Sequence, residues 1–402
     1  MSRQSTVTSA TETRPLRTMF LITSMPIGGA ETLLVNLVRR LDRTRIQPEI
    51  CCLKELGPLG EELAQEMPVH HGLLGGKYDC RVLGRLTNLL RDRRIDAVVT
   101  VGAGDKMFWG RLAAWRAGCP VVLSALHSTG WPDGVGRLNR WLTPITDGFI
   151  GVASEHGRHL VENEKFPAEK VHVIPNGVDV QRFRPAPEQR ARLRAELGIP
   201  ADAPLVGIVA ALRPEKNHLL FLRAAALLQH DLPETHFLLV GDGPEREKLT
   251  AAVAGRPIES HVHFLGSRSD VPELLAALDL FLLTSHNEAN PVSILEAMAT
   301  GLPVVSTRVG SVAESVEPGV TGYLAEPGHA DEIAARAYTL LSDPALAAAL
   351  GSAGRRKVVD RWSLERMVVG YEELIEAIYH RKQPGLRPAA TTPQPSEQTT
   401  SV

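Results

Sequence analysis

Glu288 and Glu296 stand with seven residues between them in a stretch, residues 285–305, that also carries the signals of a helix start and stop. A carboxylate repels phosphate but accepts hydrogen bonds from hydroxyls, so one acid suits a sugar ring and the other a ribose. Asn290 is the predicted N-cap of that helix and Pro291 its first residue, where a fixed φ and a missing N–H cost least. The N–H groups of Val292, Ser293 and Ile294 would then point out of the helix start, where the dipole favours an anion such as a diphosphate. Gly301 tolerates the left-handed conformation that ends a helix, and Pro303 cannot continue one. Taken alone, the two acids also fit an exposed loop carboxylate and a solvated helix glutamate.

Other residues with chemistry to offer follow predicted strands. Arg213 and Lys216 come just after the run 205–210. A planar guanidinium and a mobile ammonium can together follow negative charge as it builds on a diphosphate leaving group, although surface cations beside Glu215 fit the same segment. Gly241 follows the run 235–240, and Gly266 with Arg268 follows 261–265, in turns against which a base could lie or which could stand without a ligand. Gly28 and Gly29 follow the run 19–23; they either admit a ligand close to the backbone or serve a tight strand-to-helix turn. The spacing G-x-G-x-x-G is not met there, which argues against a dinucleotide-binding dehydrogenase. His127 lies just past the run 121–125, at the carboxyl end of a strand where α/β sheets bind ligands, though a packed or solvated loop histidine would also sit there.

The elements that must position these residues repeat one grammar twice. Apolar runs at 19–23, 48–53, 97–101, 121–125, 147–153 and 171–174 alternate with helical patterns such as 81–94 and 106–117. A second set of runs follows at 205–210, 235–240, 261–265, 280–283, 303–306 and 322–325. Such alternation predicts parallel, doubly wound sheets, hence two Rossmann-like α/β domains at 18–182 and 183–362. The segment 185–197, with Pro185, Pro187 and a charged run, reads as the interdomain connection. Helical patterns at 331–341, 344–360 and 363–379 are expected to close the second domain, with a C-terminal helix over 363–383. Residues 1–17 and 384–402 lack apolar periodicity and read as disordered tails.

With 44 % hydrophobic and 22 % charged residues and a net charge of −2, the 402-residue chain does not have the balance of a nucleic-acid binder. No run reaches the roughly 18 apolar residues of a membrane span, and the polar start lacks a signal-peptide core, so a cytoplasmic protein is expected. Cys51, Cys52, Cys80 and Cys119 form no C-x-x-C pair, and His70 and His71 would point to opposite faces of a strand. Neither a disulfide framework nor a metal site is expected.

The order GGAE at 28–31, His127, IPNGVD at 174–179, LRPEKN at 212–217, VGDGPER at 240–246, FLG at 264–266 and the two spaced acids resembles retaining glycosyltransferase family 4, of the GT-B fold, over residues 18–362. The resemblance implies two domains facing a central cleft, the first holding the acceptor and the second a nucleoside diphosphate sugar, which is a co-substrate, with no cofactor besides. It places Arg213 and Lys216 at the diphosphate, Glu296 at the ribose, Glu288 at the donor sugar, His127 near the transferred sugar, and Gly28 and Gly29 facing the diphosphate. The family often has Gly-Phe-Gly after the first acid, whereas Ala289, Asn290 and Pro291 stand here. A hexosyl transfer to a glycan or lipid-linked hydroxyl is implied, independent of metal. A sugar-nucleotide epimerase or hydrolase of the same fold, or a catalytically silent donor-binding subunit, are the alternatives. Residues 81–140 are rich in arginine, with Trp109, Trp115, Trp131 and the adjoining Trp141. That composition suits peripheral contact with an anionic membrane at the inner face of the plasma membrane, or a solvated basic face over core tryptophans.

Overall fold

The computed structural model describes residues 14–76, 79–102, 104–127 and 139–384. Its central strands are short apolar runs, buried on both faces as parallel strands between helix layers must be, while the edge strands are partly exposed. Strands β1 (Leu16–Ile22), β2 (Ile46–Cys52), β3 (Val69–His70), β4 (Ala97–Val101), β5 (Val121–Ala125), β6 (Gly148–Gly151) and β7 (Val171–Val173) form a seven-stranded sheet in the order β3-β2-β1-β4-β5-β6-β7. Strands β8 (Leu205–Val209), β9 (His236–Val240), β10 (Val262–Gly266), β11 (Leu280–Leu283), β12 (Val304–Thr307) and β13 (Gly322–Ala325) form a six-stranded sheet in the order β10-β9-β8-β11-β12-β13. Neighbouring strands pair in parallel throughout, for example Phe20 opposite Val99 and Leu282 opposite Val305. The fold is the expected pair of doubly wound domains. In each sheet the order reverses once, between β1 and β4 and between β8 and β11, and those reversals leave crevices at the carboxyl ends of the strands.

Four expectations need correction. Order begins before residue 18: Arg14 donates to both oxygens of Asp96 at 2.7 and 2.8 Å, which anchors the start of β1 at Leu16. The edge strand β3 was not anticipated, because two residues carry no readable alternation. Residues 187–196 are not a linker but a helix of the second domain. Its Arg190 and Arg194 both pair with Asp279 at 2.6 Å, and Arg194 is only 2 % exposed, so the charges that read as a connection serve partly buried bonds. Finally, the helix Leu364–Lys382 does not close the second domain. Its buried stripe of Leu364, Met367, Tyr371, Ile375 and Ile378 joins the core of the first. Arg45 of the first domain ties it down through Glu372 and Glu376 at 2.6 Å each.

The chain therefore crosses between domains twice, and the crossings touch. Val178 N–H donates to Trp362 O at 2.9 Å and Leu364 N–H donates to Val178 O at 2.9 Å. Val178 and Phe183 are already part of the second core, which places the first crossing at Asn176 and Gly177. Gly177 is there because the backbones approach closely: an added Cβ would lie 2.7 Å from Leu364 Cα and 2.8 Å from Ser363 O. Among the described residues no helix is long and apolar enough to cross a membrane.

Gly177→Ala is expected to cost about 1–3 kcal/mol, the scale of overpacking against backbone that cannot shift cheaply. A urea titration followed by intrinsic fluorescence checks this; an unchanged midpoint would mean the two crossings have room to separate.

Candidate active site

The second sheet's reversal brings the strand-end loops of β8 and β11 side by side. After β8 the chain makes one turn of 3₁₀ helix, Pro214–Lys216, and Asn217 takes a left-handed φ of 49° before the next helix. After β11 come Thr284 and Ser285. The two loops are bonded to each other: Thr284 Oγ1 donates to Asn217 O at 3.1 Å and His286 N–H to Glu215 O at 2.8 Å. Across this seam Lys216 Nζ donates to Glu288 Oε1 at 2.6 Å, and Ser285 Oγ donates to the same oxygen at 2.6 Å. Glu288 is 8 % exposed and Ser285 1 %. The cation and the acid assigned to separate tasks thus pair with each other. Arg213 differs: it is exposed, and its side chain has no hydrogen bond or ion pair among the described residues. Ser285 was not picked out from the sequence; its position three residues before Glu288 is the signal that could have done so.

The helix that follows runs from Val292 to Ala299, with Pro291 as its N-cap rather than its first residue. Asn290 does not cap it. Its Nδ2 donates to Val152 O, just past β6 in the first domain, at 2.6 Å, and its own carbonyl accepts from Asn176 Nδ2 at 3.0 Å. These bonds fix Asn290 between the domains and shift the helix start by one residue. Ile294 N–H is taken by Pro291 O at 3.1 Å, so the outward N–H pair reduces to Val292 and Ser293. Val292 packs its side chain against the first domain's core. The helix end follows expectation. Gly301 has φ 84°, and Gly301 N–H to Met298 O at 2.9 Å with Leu302 N–H to Ala297 O at 3.0 Å makes the paired closing bonds of a Schellman motif.

Glu296 lies in this helix, half-buried. Burial pushes its carboxyl up to about 8, against a weaker opposing pull from the Arg182 charge. No hydrogen bond or ion pair holds it among the described residues, so it is a costly group awaiting donors. Gly241, at φ 138°, lets β9 end against the β8 loop: a Cβ there would meet Ala210 O, and its N–H donates to Gly266 O at 2.8 Å. Arg268 is partly exposed, and its Nε and Nη2 donate to Asp270 at 2.7 and 2.6 Å.

On the first sheet, Gly28 is the N-cap of the helix Gly29–Arg40, and a Cβ added at Gly29 would meet nothing within 4 Å. The protein's own packing does not demand glycine there, and open space stands over the loop. His127 follows β5 and lines a small recess with Leu33, Leu37, Val101 and Tyr371, so it and the helix after the glycine loop share one side of the first crevice. The basic run is thinner than its composition suggests. Arg111 is fully buried, donating to Met107 O, Thr146 Oγ1 and Asn139, and Arg93 pairs with buried Glu49. Trp109 is half-buried against a core cluster while Trp115 and Trp141 are exposed; Trp131 and Arg137 lie outside the described residues. Among the described residues no group of three histidines, cysteines or acids is placed to hold a metal ion.

Comparison with known proteins agrees with this architecture. The model of the family described as Glycosyltransferase Family 4 matches residues 27–182, and that of Glycosyl transferases group 1 matches residues 189–357. The D-inositol 3-phosphate glycosyltransferase of Thermobispora bispora is 30 % identical over 403 residues, covering 89 % of this chain and 92 % of that protein. The N-acetyl-alpha-D-glucosaminyl L-malate synthase of Bacillus anthracis is 33 % identical over 307 residues, covering 74 % of this chain and 78 % of that protein. Among solved structures, Anabaena HepE in complex with UDP-glucose superposes with a TM-score of 0.80 at 25 % identity, over 90 % of this chain and 100 % of that one. The two family matches follow one another along the chain, and the chain belongs to the group 1 glycosyltransferases of family 4, with the GT-B fold.

Proposed function

We propose that this glycosyltransferase moves a sugar from a nucleoside diphosphate sugar to a hydroxyl of a glycan or lipid-linked acceptor, with retention of configuration and without a metal ion. The observation that carries the reading is the meeting of Lys216, Glu288 and Ser285 at the reversal of the second sheet, beside Arg213 and the start of the helix Val292–Ala299. HepE, which resembles this chain along its whole length, binds UDP-glucose, and an Escherichia coli relative is a UDP-Gal:alpha-D-GlcNAc-diphosphoundecaprenol galactosyltransferase. Both support a nucleotide-sugar donor, and the second supports a lipid-linked acceptor.

In this reading the donor's diphosphate competes with Glu288 for Lys216, and Arg213 with the N–H groups of Val292 and Ser293 completes the anion site. Glu288, released from its counter-ion, turns to accept hydroxyls of the donor sugar, while Glu296 accepts from the ribose. The acceptor oxygen then attacks the anomeric carbon from the face the diphosphate leaves. The anomeric C–O bond breaks, its electron pair stays on the departing phosphate, and that phosphate takes the acceptor's proton. Charge grows on the leaving oxygen as the bond breaks, and the cations that face it stabilise the transition state more than the ground state. Gly28, Gly29 and His127 close the site from the first domain. Exposed Trp115 and Trp141 on that domain are consistent with peripheral contact at an anionic membrane on the cytoplasmic side.

Arg213→Ala or Lys216→Ala should lower kcat by about 10²–10³, the scale for losing one preorganised donor, with a smaller change in donor KM. Steady-state kinetics and NMR of the new glycosidic bond test this together; near-normal turnover in Arg213→Ala, or an inverted product, would overturn the mechanism. Because cations do the work of a metal on the diphosphate, EDTA should leave the rate unchanged. Loss of activity on chelation, restored by Mg²⁺ or Mn²⁺, would contradict that assignment.

Glu296 yields opposite expectations for stability and binding. Its folded-state pKa, about 8, lies above the roughly 4.3 of an unfolded glutamate, so the native state holds the proton longer. The associated stability is full below the unfolded value and is lost as pH rises through 8. Glu296→Gln should therefore flatten the fall in Tm between pH 5 and 8, while weakening donor binding about tenfold or more through loss of a charged acceptor. Wild-type donor affinity should rise with pH over that window and the variant's should not; parallel pH profiles in calorimetry would exclude Glu296 from the donor site.

A further inference from the structure

The helices Pro344–Arg361 and Leu364–Lys382 meet at a kink, residues 362–363, beside the paired interdomain crossings. An open cavity of about 570 Å³ lies against that kink, lined by Ser352, Arg355, Arg356, Val359, Asp360 and Arg366. None of its residues was assigned to the site described above, although Arg355 touches the far end of the helix Val292–Ala299.

The three arginines are not equivalent. Arg355 is engaged: its guanidinium donates to Phe183 O at 3.0 Å, to Ala299 O, and to Val180 O at 3.4 Å. It binds the first crossing to the end of the helix Val292–Ala299, and burial together with the nearby Arg184 charge holds its pKa below the usual arginine range. Arg356 is exposed and has no hydrogen bond or ion pair among the described residues. Arg366 reaches only Asp360, at 3.9 Å, and Asp360 also faces Arg361 at 3.9 Å. That acid is 72 % exposed, and such pairs contribute little. Of the residues that line the cavity, Arg355, Arg356 and Arg366 are cations and Asp360 is the one acid, with Arg361 also 3.9 Å from that acid, so the wall carries an excess of positive charge.

We propose that this cavity binds a small phosphate-bearing anion, gripped by Arg356 from one helix and Arg366 from the other. Two guanidinium forks suit the paired oxygens of a phosphate. The volume falls within the roughly 300–1,000 Å³ of ligand pockets, ample for a phosphorylated metabolite. One helix belongs to the second domain and the other is docked on the first. A ligand bridging them fastens the kink, and through it the relative placement of the two domains.

Thermal unfolding of the full chain with pyrophosphate at constant ionic strength tests the site. Pyrophosphate also suits the proposed donor clamp, so the titration is run in an Arg213→Ala/Lys216→Ala background. A saturable rise in Tm is expected there. Adding Arg356→Ala and Arg366→Ala should weaken the apparent affinity about tenfold or more, the loss of charge-assisted hydrogen bonds, without moving the ligand-free Tm. Asp360→Asn should instead tighten it about twofold to fivefold, since it removes the one opposing charge. No rise in the clamp-deleted background, an equal rise with chloride, or a rise indifferent to Arg356 and Arg366 would each overturn the proposal. Sedimentation with phosphatidylglycerol vesicles separates the two sources of phosphate. Binding that requires Arg356 and Arg366 would assign the site to a lipid headgroup and overturn the soluble ligand, and protein left in the supernatant supports the soluble ligand.

Discussion

Two segments of backbone pass between the domains, and each is hydrogen-bonded to the other through Val178. Everything in the cleft depends on that pairing, because side chains at the reversal of one sheet can meet a ligand held at the other only if the sheets keep a fixed relation. The pairing is tight enough that Gly177 has no room for a Cβ. Further contacts fix the same relation from inside the cleft: Asn290 donates to Val152 O, and Glu314 of the second domain accepts from the N–H groups of Ser154 and Glu155. The last contact places a carboxylate at the start of the helix Ser154–Glu162, where the dipole favours it.

Within that frame the second domain's site is held in a state that costs stability. Glu296 is half-buried with no hydrogen bond or ion pair among the described residues, and Glu288 accepts from both Lys216 and Ser285. A buried pair of this kind gains Coulomb energy but gives up hydration, so replacing one partner with a ligand of the same charge is far less costly than removing it. In the mechanism proposed above, the donor's diphosphate makes that exchange with Lys216. The two acids are thus poised in different ways, one by a removable counter-ion and one by desolvation, although the same short stretch of chain carries both.

Much of this was legible in the sequence where one segment decides its own structure. The apolar runs of β4, β5, β8, β9, β11 and β13 coincide with predicted strands to within a residue or two, because a strand buried on both faces must be apolar throughout. The stop at Gly301 was legible for a similar reason, since a left-handed residue followed by proline leaves a helix no continuation. What was not legible depended on partners distant in the chain. The charges of the helix Pro187–Glu196 look solvated until Asp279 and the carbonyl of Ala277 are seen to accept from them. The stripe of the helix Leu364–Lys382 shows that it packs, but not that it packs on the first domain.

Asn290 shows the same limit at the site itself. Read locally, an asparagine before a proline and an apolar helix is a cap, and its short side chain is well suited to that task. The alternative partner, Val152 O, lies 138 residues earlier and in another domain, so no local rule could weigh it. The amide cannot both cap and reach across, and the interdomain bond wins because it satisfies a carbonyl that the closed cleft would otherwise bury unpaired, at a cost of about 1–3 kcal/mol. The helix start has no side-chain cap. The identity of the residue at 290 therefore answers to the relation between the domains, and the position of the helix Val292–Ala299 follows from it.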